Sequence, residues 1–446
     1  MASISTSTVD EPMLPVDNGD GSSMMPVDKE ENQIDPGEDD ESMLPVDDEP
    51  DAAAAALWLP DLPIRDILSR VPPSSATRFK VVCKRWHAMI TDDSYARTHR
   101  AAPARSVLLC DGDAPSPVIT VVDESGVAAR LALHPWRWRG GPRHGFAVQN
   151  CCGALACLRR GRRDVELLNP ATGETLPLGH FFRHGPGSTW TPAAENLPWY
   201  CLGRCAGGAG EYKVVRLDVR LPPSRQPLVT CEVLALGRES SIWDSSGCFT
   251  QPEWEKVGAL PVDYCPAGPG VHVAGVVHYL AWLVTGFAVV CFDLTTHGLS
   301  DMDLPPAAAA AVASLSELDG QLCLSVVVPG GEDDDRRGAT GAAMDIYVRS
   351  GEAWVKVCRL ELDVAARRVP RPLLRRGSRM LMKRADGSLC YYDMDGAGGE
   401  GEAAGEEVVY EREGSRLRKQ QLSGVTADVF VESPFPLQAI LRGAGA

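Results

Sequence analysis

The sequence predicts a small all-helical unit followed by a large all-β, propeller-like domain, the two standing behind a disordered acidic tail. Three observations carry that prediction. Apolar residues fall at helical spacing between residues 57 and 100. From about residue 105, short apolar runs are cut at close intervals by Gly, Pro and Asp. The acidic excess sits almost wholly in the first 56 residues.

Residues 1–56 hold 16 Asp and Glu against the single Lys29, and the rest of the chain is balanced at 44 acidic and 43 basic residues. So little apolar surface cannot offset the entropy of ordering, and the segment is expected to be disordered. It carries an apolar-Pro-Val-Asp unit three times, at Met13–Asp17, Met24–Asp28 and Met43–Asp47. Such units are either a docking motif or duplicated low-complexity sequence. With the body near neutrality, nothing recommends nucleic acid as a partner. No apolar run is long enough to span a bilayer. The opening MASISTSTVDEPM has neither a basic nor an apolar signal region, so an intracellular protein of the cytosol, the nucleus or both is expected. The 14 cysteines mostly stand singly in apolar runs, as small buried hydrophobes do in a reducing compartment.

In residues 57–100, Asp61 is placed to cap a first helix, with Pro63 at its first position. Ile64, Ile67, Leu68 and Val71 then share one face, and Pro72-Pro73 ends the helix. A second helix, capped by Ser74 or Ser75, is expected to align Phe79, Val82, Cys83, Trp86 and Ile90. A third covers Asp93–His99. Forty residues bury little surface alone, so these apolar stripes either pack on the β domain or face a partner.

Beyond residue 105, runs such as SVLLC, VELLN, YKVVRLDV, AVVCFDL and LCLSVVV read as short strands. Gly-containing turns recur at Cys152-Gly153, Ala274-Gly275, Asp319-Gly320 and Asp386-Gly387. Gly275 and Gly320 are separated by about the length of one four-stranded blade, whereas the other intervals are irregular. The blade count therefore stays open. Asn169-Pro170-Ala171-Thr172-Gly173 reads as a tight structural turn, with Gly173 free to take positive φ. Arg159-Arg160-Gly161-Arg162-Arg163, between two strand-like runs, reads as a charged hairpin tip rather than a localisation signal.

No motif for catalysis stands up. Gly396-Ala397-Gly398-Gly399-Glu400-Gly401 matches a dinucleotide fingerprint by letters, yet acidic neighbours would repel phosphate and no helix follows. His180 and His184 with Cys201 and Cys205 have zinc-like spacing but poor flanks. Neither a metal nor a cofactor is expected. Two aromatic-rich stretches, one with Trp190, Trp199 and Tyr200 and one with Trp243 and Phe249, are candidates for target binding on a rigid β scaffold. Packing between blades is the competing role for each.

The stretch LPDLPIRDILSRVPPSSATRFKVVCKRWHAMITDDSYARTH resembles the F-box, through Leu59-Pro60, Ile67-Leu68, Arg70, Val71-Pro72 and Val82-Cys83-Lys84-Arg85-Trp86. That resemblance implies binding to a Skp-type adaptor, and through it to a cullin scaffold and ubiquitin-conjugating machinery. It assigns Leu59, Pro60, Ile67, Leu68, Val71, Pro72, Cys83 and Trp86 to the adaptor interface. Residues 105–440 resemble the F-box-associated domain of plant F-box proteins, through Cys152-Gly153-Ala154-Leu155, Asn169-Pro170-Ala171-Thr172, Leu176-Pro177 and Tyr212-Lys213-Val214-Val215. The implied function is that of a non-catalytic substrate receptor of a ubiquitin ligase. Two other classes remain open: an F-box assembly protein without a degradation target, and a propeller-type enzyme or ligand-binding protein.

Overall fold

The computed structural model describes residues 61–100, 104–111, 118–123, 126–131, 146–160, 164–178, 198–207, 210–220, 228–236, 254–261, 264–283, 286–308, 312–328, 342–362, 370–384, 387–394, 406–410, 425–435 and 437–441. The acidic tail, the Gly396–Gly401 stretch and the pair His180 and His184 lie outside them.

Four short helices come first: α1 (Asp61–Ser69), α2 (Pro73–Phe79), α3 (Lys84–Thr91) and α4 (Asp93–Thr98). The single second helix expected from the sequence is in fact two. Lys80, Val81 and Val82 donate to carbonyls three residues back, which tightens and ends α2. Cys83 is extended, and its sulfur accepts the Trp86 N–H at 3.4 Å as the cap of α3. Nor does a serine cap α2: Pro72 stands at that position with Pro73 as the first helical residue. The α1 stripe also divides, with Ile64 and Leu68 buried and Ile67 turned outward.

Tyr95 ties the helices together. Its ring is buried among Ile64, Leu68, Ala76, Met89 and Ile90, and its hydroxyl donates to the Leu68 carbonyl at 2.8 Å. His99 lies 2.8 Å from the Val71 carbonyl, and the Arg100 N–H donates to Ser69, so the end of α1 is held from two sides.

The β domain is a six-bladed propeller, each blade an antiparallel sheet. Blade 1 contains β1 (Arg105–Asp111), β2 (Val118–Val122) and β3 (Ala128–Leu131). Blade 2 contains β4 (Phe146–Cys152), β5 (Leu155–Arg160), β6 (Asp164–Leu168) and β7 (Thr175–Pro177). Blade 3 contains β8 (Trp199–Arg204), β9 (Tyr212–Arg220), β10 (Leu228–Ala235) and β11 (Glu255–Ala259). In blade 4 the first strand is split into β12 (Cys265–Pro266) and β13 (Val271–Val273), ahead of β14 (Val276–Leu283), β15 (Gly286–Asp293) and β16 (Leu299–Met302). Blade 5 contains β17 (Val312–Leu318), β18 (Gln321–Val328), β19 (Ala342–Ser350) and β20 (Ala353–Leu362). Blade 6 contains β21 (Arg371–Arg376), β22 (Arg379–Lys383), β23 (Leu389–Asp393) and β24 (Glu406–Tyr410). The ring closes through β25 (Val425–Val431), which pairs antiparallel with β1 along its whole length and becomes the first strand of blade 1. A short helix, α5 (Leu437–Leu441), packs into the seam of blades 2 and 3.

The strands are nearly continuous apolar runs because a blade is covered on both faces by its neighbours. Leu155, Cys157 and Leu167 of blade 2 meet Tyr200, Leu202 and Val214 of blade 3, and comparable clusters fill the other seams. The described cysteines are free, and most are buried in these seams.

Buried polar side chains join one first strand to the next. Register slips between Val148 and Asn150 of β4, a bulge that re-aims the following side chain. The Asn150 amide then accepts the Leu202 N–H at 2.8 Å and donates to the Leu202 carbonyl at 2.7 Å, imitating a ladder rung between blades. Thr426 and Asp428 on β25 accept the Val148 and Cys151 N–H groups at 2.8 and 2.6 Å.

Three of the four Gly-containing turns, at Gly153, Gly275 and Gly320, link the first and second strands of blades 2, 4 and 5, and Gly387 links the second and third strands of blade 6. The interval from Gly320 to Gly387 reflects that shift of position, and the interval from Gly153 to Gly275 spans two blades. The Asn169 turn is as expected: its side-chain oxygen accepts the Ala171 N–H at 3.0 Å, and Gly173 has φ of 74°. Its amide also reaches the Phe435 carbonyl at 2.9 Å, fastening the approach to α5. Of the arginine run, Arg159 and Arg160 end β5, with Arg160 paired to Asp164 of β6, and residues 161–163 lie outside the described residues.

Candidate functional site

Two surfaces are in question, the outward faces of the helices and the blade ends remote from them. Which blade ends are remote follows from the junction. Glu432, directly after β25, accepts the Ser74 N–H at 3.2 Å, and its own N–H donates to Ala104 just before β1. The helical unit therefore stands at the end of the ring where β25 finishes and β1 begins. Val431 donates to Gly153, so the β4–β5 turn lies at the same end.

On the helices, the residues assigned to an adaptor interface divide by exposure. Ile67 is 55% exposed and Pro72 is exposed, while Val71, Cys83 and Trp86 are half-buried. Leu68 is buried, so its packing lies within the helical unit. Trp86 meets Phe79 edge to face at 5.6 Å, which gives it a share in that core as well as a free edge. Leu59 and Pro60 lie outside the described residues. Val81 and Val82, 88% and 57% exposed, project from the turn between α2 and α3. Periodicity does not single out Val81, and it places Val82 on the apolar stripe of one continuous second helix. The signal available was the pair of adjacent β-branched residues before Cys83, a poor fit to a helix interior.

Around the helices the charges are paired at the surface. Asp66 meets Arg70 at 3.1 Å and Arg100 at 3.3 Å, and Arg65 meets Asp92 at 3.5 Å. Hydrogen bonds from Ser94 hold the Asp92 carboxyl below the usual carboxylate range.

Of the target-binding candidates, Trp199 and Tyr200 lie among the described residues. Trp190, Trp243 and Phe249 lie outside the described residues. The strand ends bordering these positions fall at opposite ends of the ring: Leu178 bonds to Val165 near Arg159, whereas Leu236 bonds to Tyr212 near Arg204. Tyr200 is fully buried in the seam of blades 2 and 3, beside Trp254, and presents no surface to a partner. Its hydroxyl is pushed well above the ordinary tyrosine range by burial. Trp199 is half-buried at the remote end of β8, with the Arg159 guanidinium 5.8 Å from its ring centre.

Several titratable groups in the ring are buried. Cys152 Sγ lies 3.5 Å from His272 Nδ1, but burial raises the thiol to about 12 and lowers the imidazole, leaving a neutral pair unsuited to nucleophilic attack. His272 Nε2 instead meets the Arg204 backbone, at 3.1 Å from its N–H and 3.0 Å from its carbonyl. Cys201 and Cys205 point to the carbonyls of Leu202 and Leu294. Among the described residues no group of three or more His, Cys, Asp or Glu is placed to hold a metal, and no helix is long and apolar enough to cross a membrane.

The model of the F-box domain matches residues 57–97. An F-box protein of Arabidopsis thaliana is 23% identical over 300 residues, covering 63% of this chain and 69% of its own. A second Arabidopsis thaliana protein described as an F-box protein is 28% identical over 308 residues, 62% of this chain and 74% of that one. A solved chain from a nidogen/laminin complex overlays 72% of this chain and 98% of its own at a TM-score of 0.38 and 10% identity. The chain carries an F-box domain, is similar to Arabidopsis F-box proteins over about three fifths of its length, and bears a six-bladed β-propeller behind that F-box.

Proposed function

We propose that this chain is the substrate-recognition subunit of a Skp–cullin–F-box ubiquitin ligase, working in the cytosol or nucleus. On this reading residues 57–100 bind the Skp-type adaptor, and residues 105–440 hold a target protein near the conjugating enzyme, where proximity supplies the rate. The chain itself contributes no bond-making residue.

The observation that carries this reading is that the F-box domain exposes the apolar side chains of Ile67, Val81 and Val82 and leaves Val71 and Trp86 half-buried. The propeller is joined to the helices at the Ser74 and Glu432 junction and leaves those side chains uncovered. Apolar side chains on short helices are a common anchor for a partner's helices. Leu59, Pro60, Pro72 and Cys83 belong to the same interface, whereas Leu68 supports it from within.

The test is a pull-down of purified Skp-type adaptor by the full chain, beside Val82→Asp and a Leu59→Ala/Pro60→Ala double variant. Binding by the unaltered chain and at least tenfold loss in both variants is expected. Undiminished binding in both, with the variants folded, would place the adaptor elsewhere and overturn the assignment.

A further inference from the structure

Blade 5 departs from the other blades at its rim. Its outer strand, β20, runs for 10 residues, whereas the outer strands β3, β7, β11, β16 and β24 hold 3 to 5 among the described residues. One side of β20 pairs with β19, and among the described residues no strand pairs with the other. Val355 and Val357 of that strand are 50% and 38% exposed, and Ala353, Lys356 and Arg359 are exposed beside them.

A long open edge offers a row of backbone donors and acceptors to any extended chain, and proteins keep such edges short where they have no partner for them. Two features of β20 govern what it can accept. Val357 is the extra residue of a bulge opposite Ile346 and Tyr347. Lys356 and Arg359 lie 2.7 and 3.8 Å from the single Asp345 carboxylate, so one positive charge is left over at the edge. From Val355 to Leu360 the strand holds these two cations and no acid. A second copy of β20 would bring the same cations against them, whereas a strand carrying acids would be attracted. Strand addition takes its affinity from main-chain hydrogen bonds and its specificity from alternate side chains. We propose that β20 is a docking edge for an extended segment of the target protein, one that alternates acidic and apolar residues and adds a strand to blade 5. This assignment rests on the target-receptor reading above and names the class of segment recognised.

The experiment uses the full chain bound to its Skp-type adaptor. The probes are a decapeptide pool in which a fixed Glu alternates with Val, Ile, Thr or Tyr, and a matching pool with Lys in place of Glu. Two further Glu pools carry backbone N-methyl groups, one on every Glu and one on every residue between. The Glu pool is expected to be retained at least tenfold over the Lys pool. Successive N–H groups of a strand point to opposite sides, so one methylated pool should lose retention and the other keep it. Val355→Glu/Val357→Glu, at two exposed positions, should abolish retention of the Glu pool while adaptor binding and the unfolding temperature stay unchanged. The methylated pools are tested on the unaltered chain, so they decide the matter even where the double variant folds poorly. Equal retention of the Glu and Lys pools, no retention of either, retention of both methylated pools, or retention that survives in a folded double variant would overturn the docking edge. Dimers of the unaltered chain that the double variant lacks would also overturn it, making a second copy the occupant. Loss of adaptor binding by the unaltered chain would instead count against the ligase reading itself.

Discussion

The Glu432 carboxylate accepts the Ser74 N–H at 3.2 Å with one oxygen and the Ser106 hydroxyl at 3.2 Å with the other. A buried acid from the far end of the chain thus performs the capping of α2 that a local serine was expected to perform. It also fastens the F-box domain to the strand pair that closes the ring.

Removing that acid should loosen the junction. Glu432→Ala leaves the buried Ser106 hydroxyl unpaired, at a cost of about 1–3 kcal/mol, and the half-buried Ser74 N–H at a smaller one. A lowered unfolding temperature and faster amide exchange around Ser74 are expected, with Glu432→Gln affected less. Unchanged exchange at Ser74 would show that the junction is held by other contacts.

Asn150 is the second joint. Asn150→Leu deletes the rung between blades 2 and 3, orphans the Leu202 N–H and leaves the Leu202 carbonyl only the Cys201 thiol. About 2–4 kcal/mol should be lost, measured by denaturant unfolding. A loss below 1 kcal/mol would mean that water replaces the amide.

His278 gives the propeller an acid sensitivity. Its imidazole is buried with Nδ1 3.3 Å from the Val271 carbonyl, and burial lowers its pKa to about 4. The folded state favours the neutral ring, so its contribution is fully present above the ordinary histidine value of about 6.5 and is lost as pH falls towards 4. That span corresponds to about 3 kcal/mol. His278→Gln should flatten this part of the stability profile between pH 6.5 and 4, and an unaltered slope would assign it to other groups.

Gly203 is required by close approach. A Cβ there would lie 2.6 Å from His272 Cδ2 and 2.6 Å from Leu294 Cδ1. Gly203→Ala must push apart the seam of blades 3 and 4, at about 1–3 kcal/mol of overpacking. The check is thermal unfolding of the full chain, where an unchanged midpoint would show that the seam yields without cost.

Local chemistry was enough to read the helical unit, the strand-rich texture and the Asn169 turn. Helical spacing and turn residues act over a few positions, so they are visible in any short window. Asp61 to Ser69 and Asp93 to Thr98 formed helices close to where spacing put them. Spacing failed at Val81 and Val82, because a periodic stripe does not say whether the helix beneath it is continuous.

What the tertiary structure decided depends on residues distant in sequence. Six blades could not be counted from turns that mark only four of the blades and do not all join the same pair of strands. The closing of the ring by β25, the capping of α2 by Glu432 and the rung at Asn150 all join residues more than 50 positions apart. Burial separates Tyr200 from Trp199 although they are neighbours, since alternate residues of a strand face opposite ways. The sequence by itself determined which local elements form and that an F-box stands ahead of them. The packing of the blades determined which of the singled-out side chains remain free to meet a partner.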